Sequence, residues 1–161
     1  MIKLIKTEMW KLKRYSVVWI GIATMLSVVL LTCFMEIGTP GTTTFFSFSD
    51  NVIWNNFSLI FPATIVLIAG YIIERERTDD TLKNLAVIPI SFRRLLVGKI
   101  VVCGIISIFL AMVELIFTTM ISLILGYDGI ALFSVIKVLL QMIGMNCFVF
   151  IAVLPIIVFT G

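Results

Sequence analysis

Four long stretches of this sequence contain almost no charge, and nothing constrains the fold more tightly. Residues 16–35 and 57–73 carry no Asp, Glu, Lys or Arg. Residues 97–125 carry only Lys99 and Glu114, and residues 131–159 only Lys137. A helix crossing the hydrocarbon core of a bilayer needs about 17–25 predominantly apolar residues, a length that each of these runs reaches or exceeds. The chain has 161 residues, of which 61% are hydrophobic and 13% charged. Soluble domains carry roughly 25% charged residues, so a water-soluble enzyme is excluded. A disordered chain is excluded by the same apolar content and by a net charge of only +3. The expectation is an all-α membrane protein, a single transmembrane domain of four spans over 16–35, 57–73, 97–125 and 131–159.

The bases orient these spans. Of twelve Lys and Arg, all but Lys137 fall within 1–15 or 74–99. Cytoplasmic loops are enriched in such bases, so the N-terminus and 74–96 are expected in the cytoplasm. Residues 36–56 and the turn at 126–130 then face outside. The 36–56 segment carries Glu36 and Asp50 and no base, is rich in Thr, Ser, Asn and Phe, and holds the breaker Gly38-Thr39-Pro40-Gly41. It reads as an external loop. Asn56-Phe57-Ser58 matches a glycosylation sequon but abuts a span and reads as chance. Pro62 is expected to kink the second span, as proline is tolerated in membrane helices.

In residues 1–15, Ile2, Ile5, Met9 and Leu12 form one narrow stripe at helical spacing. Lys3, Lys6, Lys11, Lys13 and Arg14 fan around the remainder, with Trp10 among them. This is the pattern of an amphipathic helix lying in the membrane interface with its cations toward headgroups. Arg93, Arg94 and Lys99 are expected to anchor the start of the third span in the same way. Between them, residues 74–96 are the most polar part of the chain. Thr78, Asp79 and Asp80 suit a helix start, Pro89 stops that helix, and Ser91 can cap the next. The reading is a short cytoplasmic helix tied at both ends.

The chemistry the sequence lacks is informative. There is no His, and Cys33, Cys103 and Cys147 lie singly in apolar runs without a C-x-x-C pair, which reads as packing rather than metal or redox chemistry. No P-loop occurs, since Gly98-Lys99 is preceded by Arg93 and followed by Ile100. No carboxylate pair or nucleophile–base set appears, so catalysis within the chain is not expected. The basic charge follows from topology and does not imply nucleic acid. Glu114 is the single acid deep in a span. A charge there costs roughly 2.5–3.5 kcal/mol on insertion scales, so it must face other helices or water. Two readings stay open: a site for a cationic substrate or a proton, or a bundle-facing glutamate bonded to Ser107, Thr118 or Asn146. Gln141 and Asn146 read as interhelical hydrogen-bonding groups.

The order of features is a basic amphipathic start, a span, an outside loop and a second span. Then come Glu74-x-Glu76-x-x-x-x-Thr81-Leu82, Pro89-Ile90-Ser91 and Gly98-Lys99 opening the next span. This resembles the permease subunits of ABC-2 type transporters. The opening, with Glu8, Lys11, Lys13, Arg14 and Trp19, is most similar to bacterial permeases of lantibiotic and bacitracin self-protection. The resemblance implies a connecting helix at 1–15 and a coupling helix that rests on a separate ATP-binding subunit. Carried onto this chain, that contact would fall on Glu74, Glu76, Thr81, Leu82, Leu85, Pro89 and Ser91. It further implies no cofactor in this chain, with ATP and Mg on the partner subunit, and a second permease copy or paralogue in a bacterial plasma membrane. Such permeases have six spans, so four cover about two-thirds of the pattern, and the chain is expected to be an N-terminal fragment. The implied function is export of an amphipathic, peptide antibiotic-like substrate. Two alternatives stand beside it. One is an ion-coupled secondary transporter or channel using Glu114. The other is a non-transporting four-span immunity or scaffold protein.

Overall fold

A computed structural model describes residues 17–37, 43–78 and 92–160. All of the regular structure among them is helical. The elements are α1 (Val17–Ile37), α2 (Phe45–Asn55), a π-helical turn (Asn56–Ile60), α3 (Phe61–Thr78), α4 (Phe92–Leu125) and α5 (Leu132–Thr160). Three stretches are long and apolar enough to cross a membrane: Val18–Ile37, Val97–Leu125 and Leu132–Ile156. A fourth crossing exists if the pair Phe45–Ser58 and Phe61–Ile72, bent by 48°, is one broken span. The chain is therefore an all-α membrane protein. The expected helix over 1–15 lies outside the described residues.

The largest departure from expectation is α2. Residues 36–56 read as a loop, yet Glu36 and Ile37 complete α1 and Phe45–Asn55 forms a helix. The physical reason is visible in the spacing. Phe45, Phe48, Val52 and Ile53 recur at i, i+3, i+7 and i+8 and are all buried, which makes an amphipathic face despite polar neighbours. Thr44, in extended conformation, starts the helix, and its hydroxyl accepts from the Ser47 backbone N–H at 3.3 Å. Thr44 also forms an isolated parallel bridge with Asp128.

The second apolar run likewise begins differently from expectation. Asn56–Ile60 widens into a π turn, closed by the Phe61 N–H donating to the Asn56 carbonyl. Pro62 follows one residue later. Its ring cannot donate an N–H and crowds the carbonyl one turn back, so the ladder opens just upstream and the axis bends.

The core has two connected parts. Near the start of α4, Met25 of α1, Phe61, Ile65 and Ile68 of α3, Val102, Cys103, Ile106 and Leu110 of α4, and Val149 and Val153 of α5 pack together. Gly21 allows α1 to approach closely, because a Cβ there would meet Leu110 at 3.1 Å. Further along, Val28 and Val29, the buried face of α2, Ala111, Val138 and Met142 form the second part. Lipid is as apolar as these side chains, so the bundle is held by packing density and interhelical hydrogen bonds rather than by burial alone.

The second core part ends in a polar cap. The α4–α5 turn uses Gly126 and Gly129 at φ +69° and +89°, a left-handed backbone that glycine adopts without strain. The Phe45 N–H donates to the Asp128 carbonyl at 3.0 Å. Gln141 donates to Asp50 Oδ1 at 2.9 Å, and Asn51 donates to Glu36 Oε1 at 2.7 Å. The rings of Phe48 and Tyr127 lie 5.4 Å apart, and the Lys137 ammonium sits 4.5 Å above the Phe46 ring. Burial first, then the Glu36 carboxylate, raise the Tyr127 phenol above its ordinary pKa.

Candidate functional site

The inward face of α4 sets the site. Its buried positions include Lys99, Val102, Cys103, Ile106, Ser107, Leu110, Ala111, Glu114, Thr118 and Ser122. At about 100° per residue, Ser107, Ala111, Glu114, Thr118 and Ser122 fall within about 80° of one another. They form a narrow seam of polar and small side chains beside an apolar arc. The seam runs roughly 22 Å along the axis from Ser107 to Ser122, at about 1.5 Å per residue.

Glu114 is only 1% exposed. Its carboxyl lies beside the side-chain amides of Asn56, from the π turn, and Asn146, from α5. Both amide residues are buried. Neither carboxyl oxygen completes a hydrogen bond, and neither do Asn56 Oδ1 and Asn146 Nδ2. Three separate elements thus bring unsatisfied polar atoms together inside the bundle. Such groups are expensive in a low-dielectric interior and are rarely left idle.

The sequence proposed Ser107, Thr118 or Asn146 as partners of Glu114. Of these, Asn146 stands beside it. Thr118 instead donates to the Glu114 backbone carbonyl at 2.8 Å, and Ser107 donates to the Asn146 carbonyl at 3.4 Å. Asn56 was absent from that set. Its side chain turns inward because the π turn adds a residue at this point, leaving the adjacent Asn55 to donate to Thr32 Oγ1 at 2.9 Å. Burial of Asn56 also agrees with its sequon being fortuitous. Gln141 makes the interhelical bond expected of it, with Asp50 as its partner.

Lys99, expected among the headgroup anchors at the start of the third span, lies on the inward side of α4. It is buried. The apolar residues Cys103, Ile106 and Leu110 fix which side of α4 faces inward, and Lys99 lies in the middle of that arc, on the stripe one turn before Cys103. Its long aliphatic stem can occupy such a position while the charge extends along the helix.

The other candidate residues are only partly within view. Glu74 and Glu76 lie in the last turns of α3, and Arg93 and Arg94 in the first turn of α4. Thr81, Leu82, Leu85, Pro89 and Ser91 lie outside the described residues, as do Lys3, Lys6, Trp10, Lys11, Lys13 and Arg14. Among the described residues, no group of three or more His, Cys, Asp or Glu could hold a metal ion.

No curated protein and no solved structure matches the chain. A family model does: the one described as ABC-2 family transporter protein, over residues 4–161.

Proposed function

The chain belongs to the ABC-2 family of transporter proteins, and from that premise we propose that it is the membrane-spanning permease subunit of an ATP-driven exporter. The carrying observation is the extent of the match, which begins at residue 4 in the basic start and runs through the last residue. The family makes it a membrane transport component, partnered by an ABC ATP-binding subunit, rather than a catalyst. ATP and Mg are then bound by that partner, and a second permease copy or paralogue completes the path.

In this reading the N-terminus and 74–96 face the cytoplasm of a bacterial plasma membrane, because they hold the Lys and Arg clusters. The polar cap at Asp50, Asp128 and Gln141 then faces outside. Residues 79–91 join α3 to α4, so a push or pull on Leu82, Leu85 or Pro89 acts directly on both helices. Force generated when the ATP-binding subunits close would separate or join the inner ends of these helices. An apolar-walled bundle with a buried polar seam suits an amphipathic cargo, such as a peptide antibiotic, moved outward.

The test is co-purification. Leu82→Asp combined with Leu85→Asp is expected to abolish recovery of the ATP-binding subunit while the permease still reaches the membrane. Undiminished recovery would refute docking through this segment.

A further inference from the structure

We propose that the seam centred on Glu114 is a binding site for an organic ammonium or guanidinium group of the transported molecule. As a statement about cargo this rests on the permease reading; the binding itself is measured independently of it. The first argument is charge. Residues 100–136 contain no Lys or Arg. Lys99 lies about 22 Å along the α4 axis from Glu114, and Lys137 is seated over Phe46. Neither can be the counter-charge of Glu114. The groups turned toward its carboxyl are the neutral amides of Asn56 and Asn146, and α1 contributes the apolar Met25, Val28 and Val29 to the surrounding core.

The second argument is the polarity of the hydroxyls. Thr118 donates to the Glu114 carbonyl and Ser122 to the Thr118 carbonyl, each at 2.8 Å. Each hydroxyl hydrogen is thereby committed to the helix backbone, and the oxygen presents only lone pairs to the seam. From Glu114 toward Leu125 the buried face therefore offers acceptors, beginning with two carboxyl oxygens that complete no hydrogen bond. The buried polar atoms of this cluster left without a hydrogen bond are three acceptors, the two Glu114 carboxyl oxygens and Asn56 Oδ1, against one donor, Asn146 Nδ2, a balance that suits a guest carrying several N–H groups and a positive charge. A divalent metal is a poorer fit, because among the described residues no group of three or more His, Cys, Asp or Glu could hold one.

The third argument is direction. The seam ends at Ser122, whose carbonyl accepts from the Tyr127 N–H in the α4–α5 turn, so its acceptors run from mid-span toward the end of the bundle that carries the Glu36–Asn51 and Asp50–Gln141 bonds. In the conformation described Glu114 is occluded, so the guest enters a state in which α5 and the π turn part from α4.

Carbodiimide labelling tests this on the unmodified protein, extracted from its own membrane with the subunits that accompany it. Dicyclohexylcarbodiimide modifies carboxyl groups in apolar surroundings, and mass spectrometry locates the adduct. Dodecylammonium is expected to slow modification of Glu114 about tenfold, and the uncharged dodecan-1-ol to leave the rate unchanged. Equal rates with the two probes would overturn the proposal and leave the cluster a tie between helices. In a second arm, Glu114→Gln is expected to weaken binding of labelled dodecylammonium about tenfold; unchanged binding would overturn it equally. If that variant fails to fold, the labelling arm decides alone. Neither readout consumes nucleotide, so failure of the unmodified chain to co-purify with any ATP-binding subunit would remove the permease reading without touching this result, and the reverse also holds.

Discussion

Replacing Phe48 by Ala separates a packed α2 from a surface loop. Phe48 is fully buried, belongs with Phe45 and Val52 to the second core part, and faces Tyr127 at 5.4 Å. Truncation removes roughly 100 Å³ of side chain. At about 24 cal/mol per Å³ of unfilled cavity this costs about 2.4 kcal/mol. Loss of the aromatic pair adds about 0.5–1.5 kcal/mol. The transfer part of the usual core penalty is small here, because lipid solvates a phenyl ring nearly as well as the bundle does. The expected total is about 3–4 kcal/mol. At roughly 2–4 °C per kcal/mol for a chain of this size, the unfolding midpoint falls by about 6–16 °C. Cys103 is buried while Cys33 and Cys147 are partly exposed, so with those two replaced by Ala a thiol-reactive fluorophore reports unfolding in detergent. Phe34→Ala is the control, since Phe34 is 79% exposed and its loss is expected to shift the midpoint by about 2 °C or less. A Phe48→Ala midpoint equal to that of the control would refute the packing of α2.

Two further changes probe the cap and the bend. Gln141→Leu removes the donor to Asp50 and is expected to cost about 1.5–3 kcal/mol, the range for hydrogen bonds to charged groups. A double-mutant cycle with Asp50→Asn should recover most of that as coupling, and additive costs would show the bond to be idle. Pro62→Ala restores an N–H donor just after the π turn, so the 48° bend is expected to straighten. Spin labels at Ser47 and Leu67 should then move apart, whereas an unchanged distance would assign the bend to packing around Asn56.

Three of the spans were legible because each is a long run whose apolar character is set by local composition. The buried face of α4 was legible too, once Glu114 is read as a residue that must turn inward. What composition hid was α2. Its Thr, Ser and Asn content looks like a loop, and only the spacing of Phe45, Phe48, Val52 and Ile53 betrays a helix. The inward face of Lys99 was hidden in the opposite way. Its charge and position suggest a headgroup anchor, but the register imposed by Cys103, Ile106 and Leu110 outweighs the preference of one side chain. Asn56 could not be found by spacing at all. It meets Glu114 across 58 positions of chain, and only because a π turn before Pro62 rotates it inward. The Asp50–Gln141 bond, 91 residues apart in sequence, is of the same kind.

The permease claim is tested most directly by native mass spectrometry of the tagged protein, gently extracted from its own membrane. The account predicts an assembly holding an ATP-binding subunit together with two permease subunits. The chain alone, free of any nucleotide-binding partner under conditions that preserve other membrane complexes, would contradict it.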